Sequence, residues 1–381
     1  MTLNLSETLN PNRVVVAMSG GVDSSVTAAL LVEQGYEVVG MMMRLWSEPS
    51  CDSNAPANRC CTPDQMADAE RVADQLGIPF YVIDVQDHFR DTIVQFFIDE
   101  HAKGRTPNPC IECNRQIRFT HLLNQALALD ANYLATGHYA RVQHTVDGYK
   151  LLNGLDPAKD QAYVLHMLTQ EHLAHVLFPV GEYTKAEVRQ LAQKYNLPVA
   201  SKSESQDLCF LGDGDYRRFL REYSTETAVS GPILTSGGKS LGEHQGLPSY
   251  TIGQRKGLGI STPQPVFVLR KDIKQNALIV GTREELGQTA LIARDVSWIS
   301  GSPPPTEQIV QAKIRYKAKP IPATIKLVAN GRFRVKFQEP VYGITAGQGA
   351  VFFDDNQCLG GGIIDDKIVD GGIIDDFEEL T

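Results

Sequence analysis

The sequence has few cysteines, no long apolar run and no surplus of positive charge, and each shortage closes off a class of protein. Seven cysteines in 381 residues are too sparse, and odd in number, for a secreted disulfide framework. They read as reduced thiols, which places the chain in the cytoplasm. The longest apolar runs, such as VVVAM at 14–18, are strand-sized. A membrane span needs roughly 20 residues, so no membrane is expected. The opening MTLNLSETLN lacks a basic start followed by an apolar stretch, so no signal peptide is expected either. The formal charge of −9 argues against a nucleic-acid partner when taken alone, because polyanion binding is driven by counterion release from phosphates. That charge is uneven, however. KGRTPNPCIECNRQIR (103–118), YRRFLRE (216–222), GQRKG (253–257), RKDIK (270–274) and KIRYKAK (313–319) are basic spots in an acidic chain.

What is present in the first half is an alternation of strands and helices. RVVVAM (13–18) reads as a buried strand, VDSSVTAALLVEQ (22–34) as a helix and YEVVGMMM (36–43) as a second strand, with Gly35 at the helix end. DQMADAERVADQLG (64–77) reads as a helix stopped by Gly77 and Pro79, followed by the strand FYVID (80–84). RFTHLLNQALALD (118–130) reads as a helix leading into the strand NYLAT (132–136). TKAEVRQLAQKY (184–195) opens with Thr184 and Glu187 at capping-box spacing. This order predicts an α/β fold with a parallel sheet covered on both faces, and ligands at the carboxyl ends of its strands. Past residue 212 the chain becomes rich in Gly and Pro and reads as a small, loop-heavy module. From about 285, runs such as QIVQAKIRY, ATIKLVA and RFRVKFQ alternate apolar and polar residues, predicting a small antiparallel barrel or sandwich. The expected divisions are 1–211, 212–280 and 281–381. GGIIDD occurs twice, at 361–366 and 371–376, and reads as a local duplication without chemistry.

AMSGGVDSS (17–25) lies between the first strand and the first helix. Ser19, Gly20 and Gly21 can offer backbone N–H groups at a helix N-terminus, where the dipole also favours an anion. No lysine follows as it does in a Walker A loop, and the G-x-G-x-x-G spacing is missing. Asp23 would repel a bare phosphate, so a metal-linked or a loop-bracing role is open for it. S-G-G-x-D-S directly after a strand resembles the PP-loop of the ATP pyrophosphatases, which split ATP to AMP and pyrophosphate while adenylating a substrate oxygen.

Further stretches narrow the resemblance. GRTPNPCIECNRQIRF (104–119), LATGHYAR (134–141), GLDPAKDQAYVL (154–165), FPVGEYTKAEVR (178–189), ESQDLCF (204–210), GEHQGLPSYTIGQRKGLGI (242–260), KIRY (313–316) and CLGGGII (358–364) follow one another in a single order. Together they resemble the tRNA-specific 2-thiouridylases, the MnmA/TrmU family, from about residue 13 to 364. The resemblance implies a PP-loop domain, a small central domain and a C-terminal β-barrel-like domain. It implies that ATP, with Mg²⁺, adenylates the 2-oxygen of a wobble uridine and that persulfide sulfur then displaces AMP. Both steps want the base extruded into a pocket. By the same resemblance Ala17, Met18, Ser19, Gly20, Gly21, Val22, Asp23, Ser24, Met43 and Gly137 would hold ATP. Asn108, Pro109, Cys110, His138, Lys159, Asp160, Gln161, Arg315, Tyr316 and Gln348 would face tRNA or the target base. A cysteine desulfurase or a sulfur-relay protein would supply sulfur.

Cys113 matches the family's nucleophile and Cys209 the cysteine that receives persulfide sulfur, so a Cys113–Cys209 disulfide would follow turnover. Arg105, Arg115, Arg118 and Lys202 are cations that would lower a thiol pKa if they lay nearby. Cys110 stands where many relatives carry Asp, and a thiol is a poorer general base than a carboxylate, which leaves it an accessory role. A thioredoxin-like pair is weakened by the Pro-rich surroundings, and a zinc site lacks a second C-x-x-C. A labile iron–sulfur cluster on Cys110, Cys113 and Cys209 stays open beside the persulfide route. Cys51, Cys60 and Cys61 fall in a polar loop and receive no role; Cys358 is expected to pack in the barrel. Two rival readings remain, an amidating PP-loop synthetase and a non-catalytic RNA-binding protein on the same scaffold.

Overall fold

A computed structural model describes residues 10–48, 62–203, 208–224 and 229–366. Cys51, Cys60, Cys61 and the second GGIIDD copy lie outside the described residues. Val14, Val15 and Val16 are fully buried in β1 (Asn10–Ala17), the middle strand of a parallel sheet. Its partners are β2 (Glu37–Arg44), β3 (Phe80–Asp84), β4 (Ala131–Ala135) and β7 (Val176–Leu177), in the order β3-β2-β1-β4-β7. The chain moves outward from β1 to β3 and then returns to the other side of β1 as β4. The crevice at the carboxyl ends of β1 and β4 is therefore a topological switch point, the usual ligand position in such sheets.

Helix α1 (Val22–Glu33) and helix α2 (Pro63–Leu76) cover one face with Val14, Val16 and Val26. Thr62 and Gln65 form a capping box on α2, Pro63 takes its first turn, and Gly77 ends it in the left-handed region at φ 67°. The other face packs on a helical stretch over 109–128. It begins as α3 (Pro109–Cys113) and widens to a π-helix at Asn114–Leu122. The sequence pattern predicts one helix beginning at 118, so the early start and the π-winding are differences; such winding gathers at functional sites. The capping box of Thr184 and Glu187 is present on α4 (Lys185–Lys194).

The middle of the chain carries α5 (Tyr216–Tyr223) and a four-stranded sheet of β8 (Gly231–Thr235), β9 (Ser240–His244), β10 (Phe267–Asp272) and β11 (Ala277–Gly281). The C-terminal part is an antiparallel barrel of β12 (Gly287–Trp298), β13 (Gln308–Lys313), β14 (Ile321–Leu327), β15 (Phe333–Tyr342), β16 (Gly349–Asp354) and β17 (Gln357–Ile364), closed by β12 against β17. The first GGIIDD copy ends β17, and Cys358 on that strand is fully buried, its thiol pushed up to about 12 by burial. The hairpin of β5 (Ala140–Thr145) and β6 (Gly148–Asn153) leaves the parallel-sheet region and joins the barrel sheet, Leu151 and Leu152 pairing with Cys358 and Gln357. The sequence pattern did not predict that hairpin.

Candidate active site

The loop after β1 is shaped by its own hydroxyls. Ser24 Oγ accepts the Ser19 N–H at 3.2 Å and donates to the Gly21 carbonyl at 3.2 Å, where Ser25 Oγ also donates at 2.8 Å. Gly21 is the N-cap of α1 and has no side chain to take up the helix N–H groups, which leaves them to an anion. Gly20 has φ +66°, and a Cβ there would stand 2.2 Å from the Gln65 carbonyl oxygen of α2. Gly137, just past β4, packs backbone on backbone, since a Cβ would lie 2.9 Å from the Ser24 nitrogen. Met43 is the next-to-last residue of β2 and borders two core clusters. Residues 17–24, Met43 and Gly137 thus gather at the carboxyl ends of β1, β2 and β4.

Asp23 is held by two side chains from distant segments. Lys185 Nζ donates to its two oxygens at 2.7 and 2.9 Å, and the Tyr139 hydroxyl donates to Oδ1 at 2.8 Å. Lys202 Nζ donates to the Gly20 carbonyl at 2.9 Å and to Asp68 at 2.6 Å. The loop that lacks a lysine in sequence has two in space. Sequence reading missed Lys185, though one signal was there: it is the first residue of α4, where the helix dipole disfavours a cation.

The thiols occupy the opposite side of β2. Asn108 caps α3 by accepting the Cys110 N–H at 3.1 Å, and Pro109 supplies the first helical φ. One helical turn then separates Cys110 from Cys113 into different surroundings. Cys113 is buried in a cluster with Leu45, Phe89, Ile117, Phe210 and Phe219, and half-buried Cys209 packs against that same cluster with Met43 and Trp46. Cys110 is exposed and borders the barrel, where its charge, after burial and Asp160, helps hold the Tyr316 phenol up to about 12. Among the described residues no three His, Cys, Asp or Glu side chains converge to hold a metal ion. Two cations expected near the thiols are engaged with carboxylates: Arg105 with Glu100 (3.1 Å) and Asp366 (3.0 Å), and Arg115 with Glu112 (3.3 Å). Arg118 donates to Asn114 at 2.8 Å. Lys202 braces the phosphate loop as above.

The residues expected to face tRNA are largely ties between parts of the chain. Gln348 donates to the Thr106 carbonyl at 2.7 Å and the Thr106 N–H donates to Ala346 at 2.9 Å, so the barrel holds the segment entering α3. Arg315 donates to the Ile252 carbonyl (3.1 Å) and to Thr345 (2.7 Å), tying the barrel to the segment between β9 and β10. Gln161 accepts the Tyr139 N–H at 2.9 Å. Asp160 accepts N–H groups of Gly154 and Ala162 and lies 3.9 Å from Lys313; burial raises its carboxyl pKa and lowers that of the Lys313 ammonium. Lys159 is half-buried next to this group. His138 is buried between Phe119 and Phe178, its Nδ1 2.6 Å from Thr136 Oγ1, and burial drives its pKa to about 3, so the ring is neutral.

Comparison with known proteins covers nearly the whole chain. Residues 12–213 match a family model described as a tRNA methyl transferase HUP domain, 217–282 a tRNA methyl transferase PRC-barrel domain and 288–364 an aminomethyltransferase beta-barrel domain. A tRNA-specific 2-thiouridylase MnmA of Geobacter metallireducens is 48% identical over 363 residues, 94% of this chain and 98% of that one. The protein of the same name from Carboxydothermus hydrogenoformans is 46% identical, covering 95% and 100%. A solved U34-tRNA thiolase NcsA from Methanococcus maripaludis, which holds a 4Fe–4S cluster, overlaps 58% of this chain and 70% of its own at 20% identity and a TM-score of 0.34. That overlap is too slight to bear on this site. No helix among the described residues is long and apolar enough to cross a membrane.

Proposed function

Because the chain belongs to the tRNA-specific 2-thiouridylase family, we propose that it is a cytoplasmic enzyme that uses ATP to replace the 2-oxygen of the wobble uridine in tRNA by sulfur. One observation carries the reading: Cys113 and Cys209, distant in sequence, share one cluster with Met43 and Leu45 at the carboxyl end of β2. An amidating synthetase or a non-catalytic scaffold gives two such thiols no task.

In the proposed course the uridine O2 attacks the α-phosphorus of ATP and pyrophosphate leaves, so that AMP becomes the leaving group at C2. Cys209 carries sulfane sulfur received from a protein persulfide donor, a desulfurase or relay protein. The Cys113 thiolate attacks the Cys209 sulfur, forming a Cys113–Cys209 disulfide and releasing hydrosulfide, which adds to C2 and expels AMP. A small dithiol then reduces the disulfide. The loop N–H groups bind phosphate, and residues 17–24, Met43 and Gly137 frame the nucleotide. Magnesium arriving with ATP fits the Asp23 carboxylate, where it would neutralise phosphate charge. An iron–sulfur cluster on Cys110, Cys113 and Cys209 does not fit the observed placement, one thiol exposed and another in an apolar cluster, so no step is drawn through it. Cys110 serves at the rim against Tyr316. Asn108, Pro109, His138, Asp160, Gln161, Arg315, Tyr316 and Gln348 set the surfaces that meet the base, with Lys159 on the tRNA backbone. The working division remains 1–211 for adenylation and thiol chemistry, 212–280 for the central module and 281–381 for the barrel.

The test is thiolation of unmodified tRNA with ATP, Mg²⁺ and a persulfide donor, read by nucleoside analysis for 2-thiouridine. Wild type forms it, and Cys113→Ser or Cys209→Ser lowers turnover by at least about 100-fold. Undiminished product from Cys113→Ser would sink the proposal.

A further inference from the structure

The phosphate loop poses an electrostatic problem that its own sequence does not solve. A triphosphate must settle beside Asp23 and Asp68, and the loop brings no cation of its own. Lys185 and Lys202 are the cations that flank it, one on the carboxylate of Asp23 and the other on the Gly20 carbonyl and Asp68. Both come from the segment that wraps the end of α1 more than 160 residues further along the chain.

The setting of Lys185 argues for more than neutralisation. It opens α4, where a cation meets the unfavourable positive end of the helix dipole. Its backbone N–H is fixed by Asp156 at 2.9 Å, and its side chain, only 12% exposed, runs past the Tyr139 ring with Nζ 5.9 Å from the ring centre. That ring's hydroxyl shares Asp23 with the lysine. Neutralising Asp23 needed no buried lysine from another helix, because Asn in its place would carry no charge at all. Lys202 has the complementary position: its ammonium rests on a carbonyl of the loop itself, within reach of whatever the loop N–H groups bind.

We infer that Lys185 and Lys202 form the cationic wall of the nucleotide site and contact the β- and γ-phosphates, doing from a distant segment what a Walker lysine does from within its loop. The inference rests on the ATP reading above. It makes the pair selective for the polyphosphate tail: AMP, which lacks that tail, gains nothing from either ammonium. With a polyphosphate bound, Lys185 would turn from the Asp23 carboxylate to phosphate, and Asp23 is the residue that would hold a divalent cation accompanying it.

Equilibrium binding of a non-hydrolysable ATP analogue, inorganic pyrophosphate and AMP to the full chain separates the outcomes. For Lys185→Met and Lys202→Met, affinity for the ATP analogue and for pyrophosphate falls at least about tenfold while AMP changes less than about twofold. Lys185→Arg keeps part of the polyphosphate affinity, because its charge is retained. Unchanged affinity for the ATP analogue overturns the inference, and so does an equal loss for AMP, which would mark a merely structural brace. Should Lys185→Met not fold, Lys202→Met and Lys185→Arg carry the test. Wild type that binds none of the three ligands defeats the ATP-dependent function itself, a result distinct from wild type that binds ATP while the variants do not discriminate.

Discussion

Lys271→Met should make the protein more stable at neutral pH, and the gain should vanish in alkali. Lys271 sits on β10 with its stem partly exposed, but its ammonium is buried and has no hydrogen-bond partner among the described residues. The neighbouring groups are His101, itself buried and held neutral with a pKa of about 3, and the Gly104 turn, where a Cβ would lie 3.9 Å from Lys271 Cβ. Burial alone pulls the lysine pKa from 10.5 to about 7. At about 1.4 kcal/mol per tenfold change in proton affinity, that fall corresponds to roughly 3–5 kcal/mol. The folded pKa is the lower one, so protonation favours the unfolded chain. The penalty is complete below pH 7, shrinks as pH rises and is gone above 10.5. Methionine keeps the length of the stem and removes the charge. Denaturant titrations of both proteins at several pH values from 6 to 10.5 should show a stability difference of a few kcal/mol at pH 6–7 that closes by pH 10.5. A difference independent of pH, or a less stable variant at pH 7, would refute the reasoning.

Gly20→Ala should lower ATP affinity at least about tenfold in an equilibrium titration, because its Cβ would need 2.2 Å to the Gln65 carbonyl and the residue a left-handed φ. Gln348→Leu should cost about 1–3 kcal/mol by leaving the Thr106 carbonyl unpaired, measured by denaturation, and should lower thiolation through the displaced α3. The His138 ring, with a pKa of about 3, should stay neutral from pH 8 to pH 5 in an NMR titration, and activity should show no limb in that range owing to it. Replacing Cys110 by Ser should leave thiolation within about tenfold of wild type, since this thiol lies outside the Cys113 cluster.

The parallel sheet was legible because its signals are local. A run of valines, a Gly-rich turn and a capping box at Thr184 each fix structure within a few residues. The meeting of Cys113 with Cys209 was legible only through family motifs, since nothing in the residues around either thiol encodes the other. The partners of Asp23 were not legible at all: Tyr139 and Lys185 reach it from over 100 residues away, and hydrophobic periodicity says nothing about polar contacts between distant segments. The hairpin of β5 and β6 escaped for another reason. Its outward alternation is that of any two-stranded ribbon, and its destination in the barrel depends on register with β17. Lys202 was read as a cation near the thiols, whereas its ammonium is held by the Gly20 carbonyl and Asp68.

The pairing of Leu151 with Cys358 also sets a timetable for synthesis. Strand β6 leaves the ribosome some 200 residues before its partner exists. At roughly 5–20 residues per second, the hairpin waits on the order of 10–40 s with an open edge and an apolar face. An exposed edge of that kind invites pairing with another nascent chain. The N-terminal half of this protein is thus sheltered only once β17 has been made, and slow translation of the codons leading to it would lengthen the exposure to aggregation.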